Sequence, residues 1–468
     1  MRAFTEPLHE LSGFEEMTKE AQKTGLITIS GCIDAQKSHM IYGIGNGRKN
    51  KVIVTFHEQK AKELYDDYRF FEPNTVYYPA KDILFYQSDI RGNLLTAERI
   101  RALRAIHEQQ EVTVITTFDA MMNTMAPPKT LWDSIRRIEP GDTVVLDELV
   151  ARLVQMGYEK EYQVDTVGQF ALRGGILDVY PLTEDNPVRI EMWGDEVDTI
   201  RSFDVESQKS IENLEELVIY PACELVLDDE EKQAGIARFL KEAKTFASKL
   251  KKEMKTEEAH RALSTAQELA EEWGELSVTA GMDAYLSYFS EERVGLLDYF
   301  DPADTYLFFD ELSRCTERGK QTEVEFAESM KQRLEKGYIL PGQMKELFGF
   351  KEVMGKIERY SCIAVSALDV KTNGLKSNGQ YGIHVKSVNA YNNSFELLIK
   401  DLQHYKKNGY RIILLSGSRT RAERLASDIM NEGLNCFYTD DYDHELLPGQ
   451  IMVCYGKVHK GYEYPILQ

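Results

Sequence analysis

Apolar and polar positions change rhythm several times along this chain. Residues 26–30, 51–56, 75–78 and 112–117 are short runs rich in Val, Ile, Leu, Thr and Tyr, and the stretches 57–71 and 96–110 between them carry helical spacing, with Ile100, Leu103 and Ile106 on one stripe. Near-continuous apolar runs separated by amphipathic helices predict a parallel sheet covered on both faces. Ala126-Pro127-Pro128 and Glu139-Pro140-Gly141 interrupt that rhythm, which places a boundary near residue 135.

From Gln163 to Pro221 the period drops to two. Strands are predicted over 169–173, 176–180 and 188–193, separated by Gly174-Gly175 and by Thr183-Glu184-Asp185-Asn186-Pro187. Alternation broken by such turn residues is the pattern of an antiparallel meander. Past Asp228 the rhythm becomes helical, with Ile236, Phe239, Leu240, Ala243, Phe246 and Leu250 on one stripe, and Leu263, Leu269 and Trp273 on a second. These stripes read as core packing. Residues 304–310 then form an apolar strand expected to rejoin the first sheet, which makes the meander an insertion. After Phe348-Gly349-Phe350 a further α/β piece is expected, with strands at 381–388, 411–416, 434–438 and 450–455 and helices at 394–407 and 421–432.

Composition narrows the class. The chain has 468 residues, 43% of them hydrophobic and 28% charged, a size that calls for three or four domains. No run approaches the ~20 apolar residues of a membrane span and no signal peptide opens the chain, so a cytoplasmic protein without membrane contact is expected. With 56 basic against 77 acidic residues the net charge is −21, and any contact with nucleic acid has to be local. Arg99, Arg101 and Arg104 are candidates for such a contact, or else the solvated face of a helix. The six cysteines form no CxxC pair, so neither a zinc site nor a disulfide framework is indicated, and no metal is expected. The end of the chain, Tyr464-Pro465-Ile466-Leu467-Gln468, has no polar tail and reads as a cut within a longer protein.

Two stretches could carry chemistry. Gly31-Cys32-Ile33-Asp34-Ala35-Gln36-Lys37-Ser38 follows a strand and precedes a helix, the setting of a phosphate-binding GxxxxGK[ST] loop, but Gln36 replaces the second glycine and Asp34 adds negative charge. A relic loop, weak nucleotide binding and a live ATPase all remain open on these residues. Asp310-Glu311, ending the apolar strand, would be the acidic partner of that loop, whereas Asp147-Glu148 reads as a helix N-terminus. In the meander, Arg173, Arg189 and Arg201 recur near strand ends, and Arg189 and Trp193 stand an even four residues apart, on one face. Arginine beside an exposed aromatic suits an interface, and a solvated face is the competing reading.

The runs Phe170-Ala171-Leu172-Arg173-Gly174-Gly175-Ile176-Leu177-Asp178-Val179-Tyr180-Pro181, Val188-Arg189-Ile190-Glu191-Met192-Trp193-Gly194-Asp195 and Ser202-Phe203-Asp204-Val205-Glu206-Ser207-Gln208 resemble the N-terminal region of the bacterial transcription-repair coupling factors, the Mfd family, which is itself similar to the excision-repair protein UvrB. Gly295-Leu296-Leu297-Asp298-Tyr299-Phe300 and Leu307-Phe308-Phe309-Asp310-Glu311-Leu312 fit the UvrB-like strand with the acidic motif. The resemblance implies a multi-domain α/β fold: a degenerate RecA/helicase-like parallel-sheet domain (1–135 and 226–347) split by a small antiparallel β domain (136–225), then a second small α/β domain (348–468). It implies UvrA binding by Arg173, Arg189 and Trp193, the last standing where phenylalanine is expected. It also implies a degenerate nucleotide site of Gly31, Gln36, Lys37, Ser38, Asp310 and Glu311, with no catalytic residue and no cofactor. RNA polymerase and DNA would be engaged by regions outside this chain, one of which could cover the UvrA face. UvrB's aromatic lesion-probing hairpin is not recognisable between Tyr78 and Ile100. The alternative function is an active UvrB-like DNA-dependent ATPase.

Overall fold

The computed structural model describes residues 1–81, 90–275, 282–369, 374–391 and 394–465. Residues 82–89, within the span searched for a lesion-probing hairpin, and the last three residues of the apolar terminus lie outside them.

The first four apolar runs form strands β1 (Gly25–Ser30), β2 (Asn50–Thr55), β3 (Val76–Tyr78) and β4 (Thr113–Thr117). The inserted segment supplies β5 (Arg136–Ile138), β6 (Glu159–Lys160), β7 (Gln169–Arg173), β8 (Ile176–Val179), β9 (Val188–Trp193), β10 (Glu196–Phe203), β11 (Ser210–Asn213) and β12 (Leu217–Ile219). After two long helices, Asp229–Lys252 and Thr256–Glu275, come β13 (Thr305–Asp310), β14 (Ser361–Val365) and β15 (Ser377–Gly382). The last part holds β16 (Lys386–Ser387), β17 (Ile412–Ser416), β18 (Cys436–Tyr438), β19 (Ile451–Tyr455) and β20 (Tyr462–Glu463).

A seven-stranded sheet of order β15-β1-β14-β13-β2-β4-β3 is the centre of the molecule, and all its pairings are parallel. Except in the exposed edge strand β15, alternate residues of the strands enter different cores: Leu26, Val52, Val54, Leu307, Phe309, Cys362 and Ala364 on one side, Ile27, Ile29, Ile53, Phe308, Ile363 and Val365 on the other. Burial on both faces is why these runs are apolar throughout. Residues 305–310 return to this sheet between β2 and β14, as expected.

The division expected at residue 348 is corrected by the sheet. β14 lies between β1 and β13, and β15 is an edge strand beside β1, so residues 361–382 belong with the first sheet and not with the last α/β piece. That smaller unit is a three-stranded parallel sheet, β17-β19-β18. It packs the Phe395–Lys407 and Arg419–Asn431 helices on one face and Phe4, Phe70 and Phe71 on the other.

The insertion leaves and re-enters through a two-stranded antiparallel stem in which Ile138 faces Leu217 and Arg136 faces Ile219. The two helical stripes pack on each other, with Phe239, Ala243, Phe246, Leu250, Ala266 and Trp273 in one core. Among the described residues no helix is long and apolar enough to cross a membrane.

Candidate functional site

The inserted sheet has six strands in the order β11-β10-β9-β8-β7-β6. Its inner face buries Phe170, Leu177, Val179, Val188, Ile190 and Ile200 against Leu149 and Leu153 of the Leu146–Gln155 helix, whose first turn holds Asp147 and Glu148. The β7–β8 hairpin turns at Gly174, whose φ of +62° favours glycine, and β9 turns into β10 at Gly194 with φ +64°.

Cross-strand register sets what the outer face displays. Ala171, Asp178, Arg189 and Arg201 lie in one row, and Arg173, Ile176, Glu191 and Thr199 in the next. Arg173 and Arg189 converge on Asp178, which is fully buried: Arg173 Nη2 donates to Asp178 Oδ2 at 2.6 Å, while Arg189 donates through Nε to Oδ1 at 2.7 Å and through Nη2 to Oδ2 at 2.8 Å. Arg189 also lies over the Phe203 ring at 4.4 Å and reaches Gln208 Oε1 at 3.3 Å. Its hydrogen bond to Asp178 raises its pKa further. Arg201 is paired with Glu191. The Arg173 side chain remains 39% exposed against 15% for Arg189, so Arg173 keeps donors available to solvent.

Trp193 is on the same face at the far end of β9 and is 83% exposed. The structure thus joins Arg173 and Arg189 through a shared carboxylate, with Trp193 about 13 Å further along the strand from Arg189. Sequence reasoning missed Asp178. The signal was there in the β8–β9 pairing, which sets Asp178 opposite Arg189 with the apolar Leu177 and Val179 on either side of it.

The phosphate-loop candidate is also assembled, but its lysine and part of its backbone donors are already engaged. The first helical turn begins at Asp34, so the segment between strand and helix is short. The Gly31 and Cys32 amides donate to Ala367 O and Ser366 O at 3.2 and 3.0 Å, and those of Gln36 and Lys37 donate to Ile33 O at 2.9 and 3.2 Å. Gly31 has φ +82°, and a Cβ built there would lie 2.0 Å from Ile383 O. Gln36 Nε2 donates to Tyr464 Oη at 2.7 Å, whereas Gln36 Oε1 and Ser38 Oγ are buried without a partner among the described residues.

Lys37 is 1% exposed, and its ammonium sits 2.6 Å from Asp310 Oδ1, 2.7 Å from Glu311 Oε1 and 2.9 Å from Asp34 Oδ1. Burial opposes its charge, and the carboxylates of Asp310 and Glu311 outweigh burial and hold it firmly protonated. Asp34, which also pairs with Lys60 at 2.9 Å, is taken down to about 2 by Lys60 and Lys37 against the opposing effect of burial. Oxygens of Asp34, Asp310 and Glu311 lie within 4.8 Å of one another, close enough to share a metal ion. The lysine ammonium stands in that position.

Arg99, Arg101 and Arg104 do not all face outward. Arg99 is buried on Glu224, Tyr78 Oη and Pro79 O. Arg101 donates to Leu182 O at 2.9 Å, and Arg104 pairs with Glu108 at 2.9 Å and Glu184 at 2.7 Å. Two of the three are spent tying the Ile90–Glu108 helix to residues 182–184, and the third to Glu224. Arg99 is thus buried, whereas Arg101 is exposed and Arg104 partly so, on the solvated side of the helix.

A family model described as the UvrB interaction domain matches residues 137–225, which run from within β5 to just past β12. The chain is 28% identical over 462 residues to the transcription-repair-coupling factor of Bacillus subtilis (strain 168), covering 98% of this chain and 38% of that protein. It is also 28% identical over 436 residues to that of Staphylococcus haemolyticus (strain JCSC1435), covering 90% of this chain and 35% of the relative. The chain therefore spans little more than a third of the length of these relatives. Residues 137–225 thus match the UvrB interaction domain, and nearly the whole chain is similar to a region of the transcription-repair-coupling factors.

Proposed function

We propose that this chain is a non-catalytic recruitment module that binds UvrA on the outer face of its inserted sheet, so that excision repair is brought to stalled RNA polymerase. The observation that carries this reading is the Arg173–Asp178–Arg189 cluster with the exposed Trp193 on the same face. A guanidinium already oriented by a buried carboxylate loses little freedom on binding, and an exposed indole offers large contact area, the two ingredients of an interface hot spot. The match to the UvrB interaction domain over these residues supports the same assignment. RNA polymerase, and DNA during translocation, are engaged in this reading by parts of the longer protein outside this chain.

The parallel-sheet domain is, in this reading, a UvrB-like relative of the RecA fold that has lost catalysis. Support comes from the Gly31 and Cys32 amides, which already donate to protein carbonyls, and from a lysine held by three carboxylates, which takes that lysine and the acidic pair away from a Mg²⁺-bound triphosphate.

Immobilised chain should retain UvrA from solution, and the Arg173→Ala/Arg189→Ala variant should lose most of that retention, since hot-spot residues cost about 2 kcal/mol or more each. Equal retention by the variant would sink the assignment. A phosphate-release assay with and without DNA should show no turnover above background. Turnover that vanishes in Lys37→Ala would replace the recruitment reading with a UvrB-type ATPase.

A further inference from the structure

The Asp229–Lys252 helix carries a charge pattern opposite to that of the whole molecule. From Lys241 to Lys255 there are six lysines and two acidic residues, Glu242 and Glu253, in a chain with 56 basic and 77 acidic residues. Ala243, Phe246, Ala247 and Leu250 of this segment are buried against the neighbouring helix. At 100° per residue that leaves Lys241, Lys244, Lys249, Lys251 and Lys252 on the opposite arc, all exposed, with only Thr245 and Ser248 between them.

Glu242 lies at the flank of this arc and is occupied by Tyr288 Oη and the Gly342 amide, while Glu253 pairs with Lys255. Among the described residues none of the five ridge lysines has a carboxylate within 4.0 Å. The helix macrodipole accounts for cations in the last turn, Lys249 to Lys252, because its effect fades beyond one turn. It does not account for Lys241 and Lys244, two to three turns further in.

We propose that this ridge docks on the sugar–phosphate backbone of duplex DNA. The spine is about 17 Å long from Lys241 to Lys252, enough to follow several phosphates. It has no aromatic side chain on which unpaired bases would stack, which argues against single strands. It has no arginine, and its nearest exposed apolar side chain, Met254, lies past its C-terminal end and not along it, which argues against an acidic protein partner, whereas lysine meets phosphate as a point charge. The net charge of −21 is no obstacle, because charges further away than the ~10 Å Debye length are screened. Binding is then weak, independent of sequence and strongly salt-dependent. It stands apart from the UvrA reading and survives that reading's failure.

The test is fluorescence anisotropy of a labelled mixed-sequence duplex of about 30 base pairs titrated with the full chain, at salt between about 50 and 200 mM. The expected plot of log K against log salt has a slope of about −4 to −5 for five phosphate contacts, losing about 0.9 for each lysine removed. Lys244→Gln/Lys251→Gln should therefore flatten the slope by about 2, and the variant with all five changed to Gln should bind at least about tenfold more weakly at the lowest salt. Circular dichroism of both variants should match the parent, since every changed side chain is exposed. An unchanged slope in the five-fold variant overturns the proposal. So does tighter binding of poly-glutamate or of a single strand of equal length than of the duplex.

Discussion

Asp178 is a fully buried carboxylate whose hydrogen-bond partners among the described residues are Arg173 and Arg189. It orients both guanidiniums, so its removal should be felt in stability and in binding together. Asp178→Ala leaves Arg189 half-buried without a counter-charge, and a loss of about 2 kcal/mol in urea unfolding is expected, below the 3–5 kcal/mol of a fully buried pair because Arg173 can hydrate. Asp178→Asn keeps the shape and one acceptor and should lose less stability, yet still weaken UvrA binding because the second arginine is no longer held. Wild-type stability in the alanine variant would mean that the cluster is not organised by this carboxylate. Lys37 shows the same logic with the opposite sign. One cation satisfies three carboxylates, and the reading of Gln36 as the residue that spoils the loop is joined by a second reason, that the lysine is already held by protein carboxylates.

At the scale of elements, the insertion is joined to the large sheet through the β5–β12 stem, where Ile138 and Leu217 are direct cross-strand neighbours about 5 Å apart. A variant in which Asn-Gly links Ile138 directly to Leu217 should keep the far-UV spectrum of the parallel-sheet domain and unfold in a cooperative transition, at a lower midpoint because Arg101 and Arg104 lose their partners on residues 182–184. It should not bind UvrA. Loss of the cooperative transition would show that the insertion is part of the host's core.

These elements were legible to different degrees for physical reasons. The strands 169–173 and 188–193 were readable to the residue because one face is buried, one is wet, and glycine turns delimit them. Asp310-Glu311 and Lys37 were recognised as a set, although that the lysine fills the cation position is a matter of geometry beyond the motif. β14 escaped because a five-residue buried run has no periodicity to mark it. β15, Ser377–Gly382, is an exposed edge strand of polar residues and glycine, and nothing in its sequence ties it to the first sheet. The pairing of the arginine trio was not legible because its partners, Glu224, Leu182 and Glu184, are far away along the chain.

For the whole molecule, the parallel sheet is the hub to which three outlying parts attach: the inserted sheet, the helical hairpin and the small parallel unit. Glu224, just past the stem, binds Arg99 of the host domain and also Lys81 at 3.3 Å. Burial alone would raise its pKa, and Arg99 and Lys81 outweigh burial and take it from its ordinary 4.5 down to about 2. A folded-state pKa below the unfolded one contributes stability that is fully present above about pH 4.5 and is lost as pH falls toward 2. Unfolding free energy should therefore fall with acid across that window by up to about 1.4 kcal/mol per pH unit from this group, and Glu224→Gln should show a shallower fall. An identical acid profile in the variant would remove Glu224 from the account.

The central claim is that the outer face of the inserted sheet is what UvrA recognises, and Trp193 tests it most directly, because its 83% exposure means that truncation leaves the fold untouched. Calorimetric titration of UvrA into the chain and into Trp193→Ala should give parent-like melting for the variant but an affinity at least about thirtyfold lower, the equivalent of a 2 kcal/mol hot spot. Equal affinity of the two proteins for UvrA, or no binding by the parent chain, would contradict it.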